Sequence, residues 1–358
     1  MRRTAPTTPM EVVSCGVPFL FVPARRIHDI RNIRFRRDVW ERALQDFGTT
    51  HVFAFTQETE FSCFTVHSRM FAPALGISEY PATGAASDPR GCYLRKTHMN
   101  ILVTGGTGHL GRDFVQAAMA AGHGVRIASR RPRPADISDE LEWATMDLST
   151  GEGIRESLAG VDAIIHAASD PKNTTAADVV GTRRLAEAAR DAGVGHLVYV
   201  SIVGIDRIPF SYYQRKLAAE RALAESGAPY SILRATQFHY FVDLLLGAAA
   251  RVPLVLPLPA GFHVQSVATE DVADRLLRAI TDGPSGLLRD FAGPEPMTLA
   301  EAAAAWKAAR GVRKPTIPIP IPGRIGAAFR AGYNIAPNGE RGVIGWREWL
   351  EQNVFSSA

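Results

Sequence analysis

The sequence has few cysteines, no long apolar run and little net charge. Its three cysteines, Cys15, Cys63 and Cys92, have no metal-ligand spacing, which predicts free thiols in a reducing, cytoplasmic compartment. No apolar run reaches the roughly 18 residues of a membrane span, so we expect no membrane partner.

Charge is unevenly distributed along the 358 residues, whose formal excess is only +4. Residues 1–98 hold 13 Lys and Arg against 9 Asp and Glu, whereas residues 99–358 hold 27 of each kind. The basic residues of the first segment are scattered among acids, so we expect no nucleic-acid partner. The shift in composition predicts a boundary near residue 98.

Glycine, by contrast, is concentrated in a turn at residues 104–111, which reads Thr-Gly-Gly-Thr-Gly-His-Leu-Gly. A β-branched run precedes the turn and apolar residues at helical spacing follow it, so the pattern predicts strand, tight turn and helix. Glycines there permit a left-handed backbone and let a pyrophosphate reach the helix N-terminus. The turn predicts a dinucleotide site, with a glycine-rich surface turn as the alternative. The predicted cofactor residues are Gly105, Thr107, Gly108, His109, Leu110 and Gly111.

Apolar strands alternate with alanine-rich helices in the residues that follow. Strands are predicted at residues 125–129, 141–146, 161–168, 197–201 and 230–234. Helices are predicted at residues 176–192 and 212–225. This alternation is typical of an α/β fold with a doubly wound parallel sheet, in which ligands bind at the carboxyl ends of the strands.

The second predicted strand ends without the acidic residue that would favour NAD(H). Ser129, Arg130 and Arg131 stand there instead. A hydroxyl and two guanidinium groups suit a ribose 2′-phosphate, so the sequence predicts NADP(H) over NAD(H), with an exposed basic loop as the alternative. Residues after later strands complete the predicted cofactor site, and they are Asp147, Leu148, Ala167 and Ala168. For Asp147, a helix N-cap is the competing interpretation.

Tyr212 and Lys216 are four residues apart, so a helix places both on one face. A cation beside a tyrosine favours the phenolate and lowers the tyrosine pKa, which suits a proton donor to a carbonyl oxygen. An ordinary amphipathic helix is the alternative. Gln237, Phe238 and His239 follow the sixth strand and are predicted to face a small-molecule substrate, although a histidine among aromatic residues is more often structural.

Residues 99–358 resemble the NmrA-like group of atypical short-chain dehydrogenases/reductases. The resemblance is carried by the glycine turn and by residues 147–148, 198–201, 212–216, 232–238 and 269–273. It implies a Rossmann core over about residues 99–235 and a substrate region over about residues 236–358, in a monomer or homodimer. It also implies that Tyr212 donates a proton, that Lys216 lowers its pKa and holds the nicotinamide ribose, and that Ser201 binds the substrate oxygen.

The resemblance implies an NADP(H)-dependent reductase of a small carbonyl, quinone or similar acceptor. The same group includes proteins that bind the nucleotide without turning it over. A redox sensor is therefore the alternative function.

Residues 1–98 resemble part of a phenazine-biosynthesis (PhzF-like) isomerase. The matching stretches are residues 12–22, 69–73 and 76–86, but Tyr80 and Ala85 replace the acidic residue and the serine usual in that family. The amino-terminal half of that fold, with its catalytic glutamate, has no counterpart. We expect an incomplete α+β fragment without isomerase activity, from a fused degenerate gene or a start that belongs at Met99. An active isomerase is the weaker alternative.

Overall fold

The chain divides into two compact units, Met1–Met99 and Asn100–Ala358. The computed structural model describes residues 11–14, 18–24, 26–44, 49–56, 67–72, 77–80, 98–134, 137–138, 141–169 and 175–353. All three cysteines, and residues 81–86 of the PhzF-like resemblance, lie outside the described residues.

The described residues of the first unit form a five-stranded mixed sheet and two short helices. Its strands, which are neighbours in chain order, are β1 (Glu11–Ser14), β2 (Pro18–Pro23), β3 (Val52–Thr56), β4 (His67–Ala72) and β5 (Ile77–Tyr80). The helices α1 (Ile27–Arg31) and α2 (Arg37–Leu44) follow β2. Strands β2 and β3 are parallel, and the other neighbours are antiparallel. Phe21 and Phe53 are fully buried on this sheet, which has the α+β character expected of the fragment.

The second unit is built around a parallel sheet. In chain order its strands are β6 (Asn100–Thr104), β7 (Gly124–Ser129), β8 (Glu142–Thr145), β9 (Ala163–His166), β10 (His196–Ile202), β11 (Tyr230–Ala235), β12 (Leu256–Pro259), β13 (His263–Val264), β14 (Gly286–Leu287), β15 (Phe291–Ala292), β16 (Met297–Thr298), β17 (Thr316–Ile319) and β18 (Glu340–Arg341). The main sheet has the order β8-β7-β6-β9-β10-β11-β15-β18, and β14 also pairs with β11. All its pairs are parallel. The first six strands thus follow the Rossmann order, which confirms the predicted doubly wound sheet.

The helices of the second unit connect these strands. They are α3 (His109–Ala120), α4 (Ile154–Ser157), α5 (Gly181–Asp191), α6 (Ser211–Ala224), α7 (His239–Ala249), α8 (Thr269–Asp282), α9 (Leu299–Arg310), α10 (Gly323–Arg330) and α11 (Trp346–Gln352). One helix prediction needs correction, because the helix expected at 176–192 begins as a π-helical turn, Thr175–Val180, before α5. Apolar periodicity does not distinguish these two helix types, so the sequence could not reveal the turn.

Helices cover both faces of the main sheet. All four residues of β9 and the first six residues of β10 are buried, so side chains on both faces of the sheet are covered. This is the burial that near-continuous apolar strands predict. A second core in the carboxyl-terminal part of the unit packs Val242 and Leu256 with three tryptophans, Trp306, Trp346 and Trp349. Among the described helices, none combines the length and the apolar character needed to span a bilayer.

Candidate functional site

The glycine turn between β6 and α3 has the close backbone approaches that its glycines allow. Gly105 has φ = 75°, and a Cβ there would lie 2.8 Å from the amide nitrogen of Ala168. A Cβ on Gly111 would collide with the carbonyl oxygen of Gly105, so α3 can begin directly against the turn. Gly108 is the N-cap of α3, and no side chain caps its N-terminus. Backbone N–H groups at such a helix start can bind a phosphate.

A cavity of about 330 Å³ opens at this turn, along the carboxyl ends of β6, β7, β8 and β9. It brings together ten of the predicted cofactor residues: Gly105, Thr107, Gly108, Ser129, Arg130, Arg131, Asp147, Leu148, Ala167 and Ala168. Gly111 and Leu110 are not part of its lining, and Leu110 is a buried core residue. The shape and the donors of this cavity fit a dinucleotide, because a tight glycine turn, a helix N-terminus and two guanidinium groups share it.

The loop after β7 presents the basic residues at one end of the cavity. The backbone N–H of Arg131 donates to Ser129 Oγ at 3.1 Å, which orders the turn that carries Arg130. Asp147 Oδ1 accepts from the N–H of Ser149 at 2.7 Å and from its hydroxyl at 2.6 Å. These hydrogen bonds lower the pKa of Asp147, and the charge of Arg130 adds to that effect. One carboxylate oxygen of Asp147 therefore binds its own loop. The N-cap of α4 is Gly153, so the helix-capping interpretation of Asp147 is wrong.

Tyr212 is on the first turn of α6 and is not itself part of the cavity lining. Its Oη is 3.1 Å from the hydroxyl oxygen of Ser169, and Ser169 lines the cavity. Burial raises the pKa of Tyr212, the hydrogen bond with Ser169 lowers it, and the Asp178 carboxylate raises it, so that the pKa lies above its ordinary value. The expectation of a lowered tyrosine pKa is therefore wrong for this arrangement.

Lys216 shares the helix face of Tyr212, and its ammonium lies against residues of β10. Its Nζ donates to the carbonyl oxygen of Val200 at 2.9 Å and lies 4.2 Å from the ring centroid of Tyr199. The side chain is 4% exposed, and burial lowers the pKa of Lys216 to about 8. Ser201 ends β10 and is also buried, and its hydroxyl oxygen has no hydrogen-bond partner among the described residues. The structure therefore brings Ser169 to the Tyr212 hydroxyl, and not Ser201.

Two residues of the cavity lining near Tyr212 were missing from the sequence prediction. Ser169 follows Ala167 and Ala168, so the strand-end rule that selected those alanines could also have found it. Asp178 lies on the π-helical turn and lines the cavity. No sequence motif identifies Asp178 as a site residue, because its position depends on a π-helical turn that the sequence pattern does not predict.

The predicted substrate residues occupy different environments. Both ring nitrogens of His239 are engaged, one with the Ser266 hydroxyl at 2.8 Å and one with the carbonyl oxygen of Ile344 at 3.1 Å. The side chain is 1% exposed, and burial lowers the pKa of His239 to about 4. The structure thus contradicts the expectation that His239 faces a substrate, and it supports the structural interpretation.

An aromatic stack connects the glycine turn to the carboxyl-terminal region. The rings of His109 and Tyr240 stack with centroids 4.1 Å apart, and the ring of Phe238 stacks on Tyr240 at 5.6 Å. Both polar atoms of the Gln237 side chain are buried and have no hydrogen-bond partner among the described residues. His109 therefore lies where the predicted Rossmann core meets the predicted substrate region, and its ring contacts Tyr240 there.

Comparison with known proteins shows that two different family models match this chain. A family sequence model described as NAD(P)H-binding matches residues 105–283, half of the chain. A model described as phenazine biosynthesis-like protein matches residues 1–117. The two matches overlap in residues that the structure places in the second unit, at the glycine turn and the start of α3.

Individual proteins are also similar to this chain in sequence or in structure. The chain is 33% identical over 206 residues to sterol demethylase protein B of Methylococcus capsulatus, which covers 54% of this chain and 60% of that protein. It is 30% identical over 208 residues to (4-alkanoyl-5-oxo-2,5-dihydrofuran-3-yl)methyl phosphate reductase of Streptomyces griseus, covering 57% of this chain and 71% of that protein. The chain thus spans less than two thirds of the Methylococcus relative. A Thermus thermophilus UDP-glucose 4-epimerase in complex with NAD shares the fold, with a TM-score of 0.57 and 20% identity over 73% of this chain and 100% of that one.

Proposed function

The chain belongs to the family of NAD(P)H-binding proteins, and on that premise we propose that its second unit is an NADP(H)-dependent reductase of a small carbonyl or quinone. One observation carries the proposal. The Tyr212 hydroxyl lies 3.1 Å from the hydroxyl oxygen of Ser169, which lines the same cavity as Arg130 and Arg131. A cofactor that places its adenosine part near Arg130 would extend toward a proton donor.

The preference for NADP(H) rests on the loop after β7. Arg130 and Arg131 line the cavity where the second strand ends, and no acidic residue follows that strand directly. Guanidinium groups form paired, charge-assisted hydrogen bonds with phosphate oxygens. We therefore assign these arginines to a ribose 2′-phosphate.

In the proposed reaction, Tyr212 supplies the proton. When bound, the reduced nicotinamide supplies the hydride. Since burial raises the pKa of Tyr212, its hydroxyl keeps the proton at neutral pH and can donate it to the developing alkoxide of the substrate. Lys216 keeps two ammonium hydrogens beyond the one donated to Val200, which suits it for the hydroxyl groups of the nicotinamide ribose.

For residues 1–98 we propose no catalytic part. Tyr80 and Ala85 depart from the PhzF-like pattern. The proposed reductase site draws its residues from the second unit alone.

The proposal predicts that Tyr212→Phe abolishes turnover without loss of cofactor binding. The experiment follows NADPH oxidation with a panel of aldehydes, ketones and quinones, and measures NADPH affinity by titration calorimetry. Removal of the proton donor should lower kcat by about 10²–10⁴-fold and leave the Kd for NADPH nearly unchanged. Lys216→Met should weaken NADPH binding as well, because Lys216 is assigned to the ribose.

Tyr230→Phe is the matched control. Tyr230 begins β11, at the amino end of the sheet, so the same loss of a hydroxyl should leave both kcat and Kd at the parental values. A substrate that the Tyr212→Phe protein reduces at the parental rate would exclude Tyr212 as the donor. Tight NADPH binding with no turnover of any acceptor would instead favour the redox sensor.

A further inference from the structure

A buried carboxylate lies behind the proposed proton donor. The Ser169 hydroxyl donates to Asp178 Oδ2 at 3.1 Å, and the same Ser169 oxygen is 3.1 Å from Tyr212 Oη. Asp178 is 2% exposed, and both Ser169 and Asp178 line the cavity. A chain of hydrogen bonds therefore leads from the phenol to a carboxylate that the reaction proposed above does not use.

The π-helical turn places this carboxylate. Thr175–Val180 packs against α6, the helix that carries Tyr212, and continues directly into α5. A π turn is wider than an α-helical turn and is frequent at functional sites. A polar side chain buried here needs a partner, and Ser169 provides one.

The hydrogen bonds of the chain have a defined direction. An ionised carboxylate only accepts hydrogen bonds, and a serine hydroxyl has one hydrogen to donate. A hydrogen bond donated by Ser169 to the phenolate would lower the pKa of Tyr212. However, Ser169 gives its single hydrogen to Asp178, so the bond between Ser169 and Tyr212 requires the phenol to donate. A phenolate at Tyr212 would need to accept the Ser169 hydrogen, which Ser169 already donates to Asp178.

We propose that Asp178 acts through Ser169 as a positioning residue, which keeps the proton on Tyr212 and fixes the direction of its O–H bond. The inference rests on the role proposed above for Tyr212 and adds the group that controls it. The substrate oxygen takes the proton only when hydride transfer has made it more basic than Ser169. Tyr212 is then the proton donor, and Asp178 does not touch the substrate.

Other charged and titratable groups surround Tyr212. Arg215, on the same helix, lowers the pKa of Tyr212 by its charge. Lys216 and Glu220 lie on that helix as well, and Asp178 and Glu220 both raise the pKa of Lys216, which burial lowers. The remaining titratable neighbours are Tyr199, Tyr213 and Tyr240, which Tyr212 itself affects by its charge. Asp178 is the carboxylate joined to Tyr212 through a hydrogen-bonded serine.

The test is a tyrosinate absorbance titration of the full chain in Asp178→Asn. The Tyr212→Phe protein identifies the contribution of Tyr212 by difference. Loss of the negative charge frees the Ser169 hydrogen for the phenolate, so the pKa of Tyr212 should fall by about one unit or more. Asp274→Asn, an exposed position on α8, is the control and should cause no shift. This readout needs no turnover, so it can fail or succeed independently of the reductase proposal.

Ser169→Ala gives a second test, in which the direction of the Tyr212 pKa shift distinguishes the two arrangements. Because the Ser169 side chain is exposed, we expect this variant to fold. Under the proposal, Ser169 serves Tyr212 as an acceptor, so its removal destabilises the neutral phenol and lowers the pKa of Tyr212. If Ser169 instead donated to the phenolate, its removal would raise that pKa. An upward shift or no shift in Ser169→Ala, or an unshifted titration in folded Asp178→Asn, would overturn the proposal. In an active enzyme, the alkaline limb of the kcat profile should move to lower pH in both variants.

Discussion

Arg130 is the residue to which the proposed function assigns most of the choice between the two nicotinamide cofactors. It lines the cavity beside Asp147, whose pKa is lowered first by hydrogen bonds from Ser149 and then by the Arg130 charge. A bound 2′-phosphate would therefore meet a cation whose position is fixed partly by that carboxylate.

Arg130→Asp should reduce or reverse a preference for NADPH over NADH. Replacing the guanidinium by a carboxylate removes a charged hydrogen bond to the 2′-phosphate, worth about 1.5–3 kcal/mol, or roughly 10–150-fold in affinity. Calorimetric titration with both cofactors measures the ratio of the two Kd values. Arg251→Asp, in an exposed loop away from the cavity lining, should leave the ratio unchanged. Equal affinity of the parental protein for NADPH and NADH would refute the assignment.

Single residues also show where sequence spacing stops being informative. Spacing placed Tyr212 and Lys216 correctly on one helix face, because an α-helix repeats every 3.6 residues. It could not tell that Lys216 would donate to Val200, or that Ser169 and not Ser201 would meet the phenol. Those contacts join strands and a helix that are distant in sequence.

At the scale of elements, the contact between the glycine turn and α3 decides whether the cavity can form. Gly111 lies in the first turn of the helix, against the carbonyl oxygen of Gly105. No rotamer change could make room for a Cβ there, because the obstacle is backbone.

Gly111→Ala should therefore weaken NADPH binding and destabilise the protein. The added methyl group forces α3 away from the turn, and overpacking of this kind costs about 1–3 kcal/mol. Thermal unfolding with and without NADPH measures both effects. The matched control is Gly247→Ala in α7, where a Cβ would meet nothing within 4 Å and the gain in helix propensity is up to about 1 kcal/mol. If Gly111→Ala bound NADPH with parental affinity, the turn would not be the phosphate site.

At the scale of the whole molecule, the two units differ in what they can be expected to do alone. The second unit contains the doubly wound sheet, several hydrophobic cores and every residue of the proposed site. The first unit has five short strands and a small aromatic core in its described residues.

Residues 99–358 alone should fold and bind NADPH with the affinity of the full chain, because the sheet around the glycine turn is complete without residues 1–98. Expression of both proteins, followed by circular dichroism and calorimetric titration, compares them directly. An insoluble shorter protein, or one that has lost NADPH binding, would show that the first unit is a structural partner of the second.

Local patterns in the sequence were enough to predict the α/β class, the strand, turn and helix at the glycine motif, and ten residues that line the cavity. They were enough because apolar periodicity and glycine spacing are local signals, and strand ends in a parallel sheet share one edge. The tertiary structure decides that His239 is a core residue, that Asp147 binds its own loop, and that Ser169 joins Asp178 to Tyr212. Burial and hydrogen-bond partners depend on which distant elements pack together, so local patterns do not encode them one residue at a time.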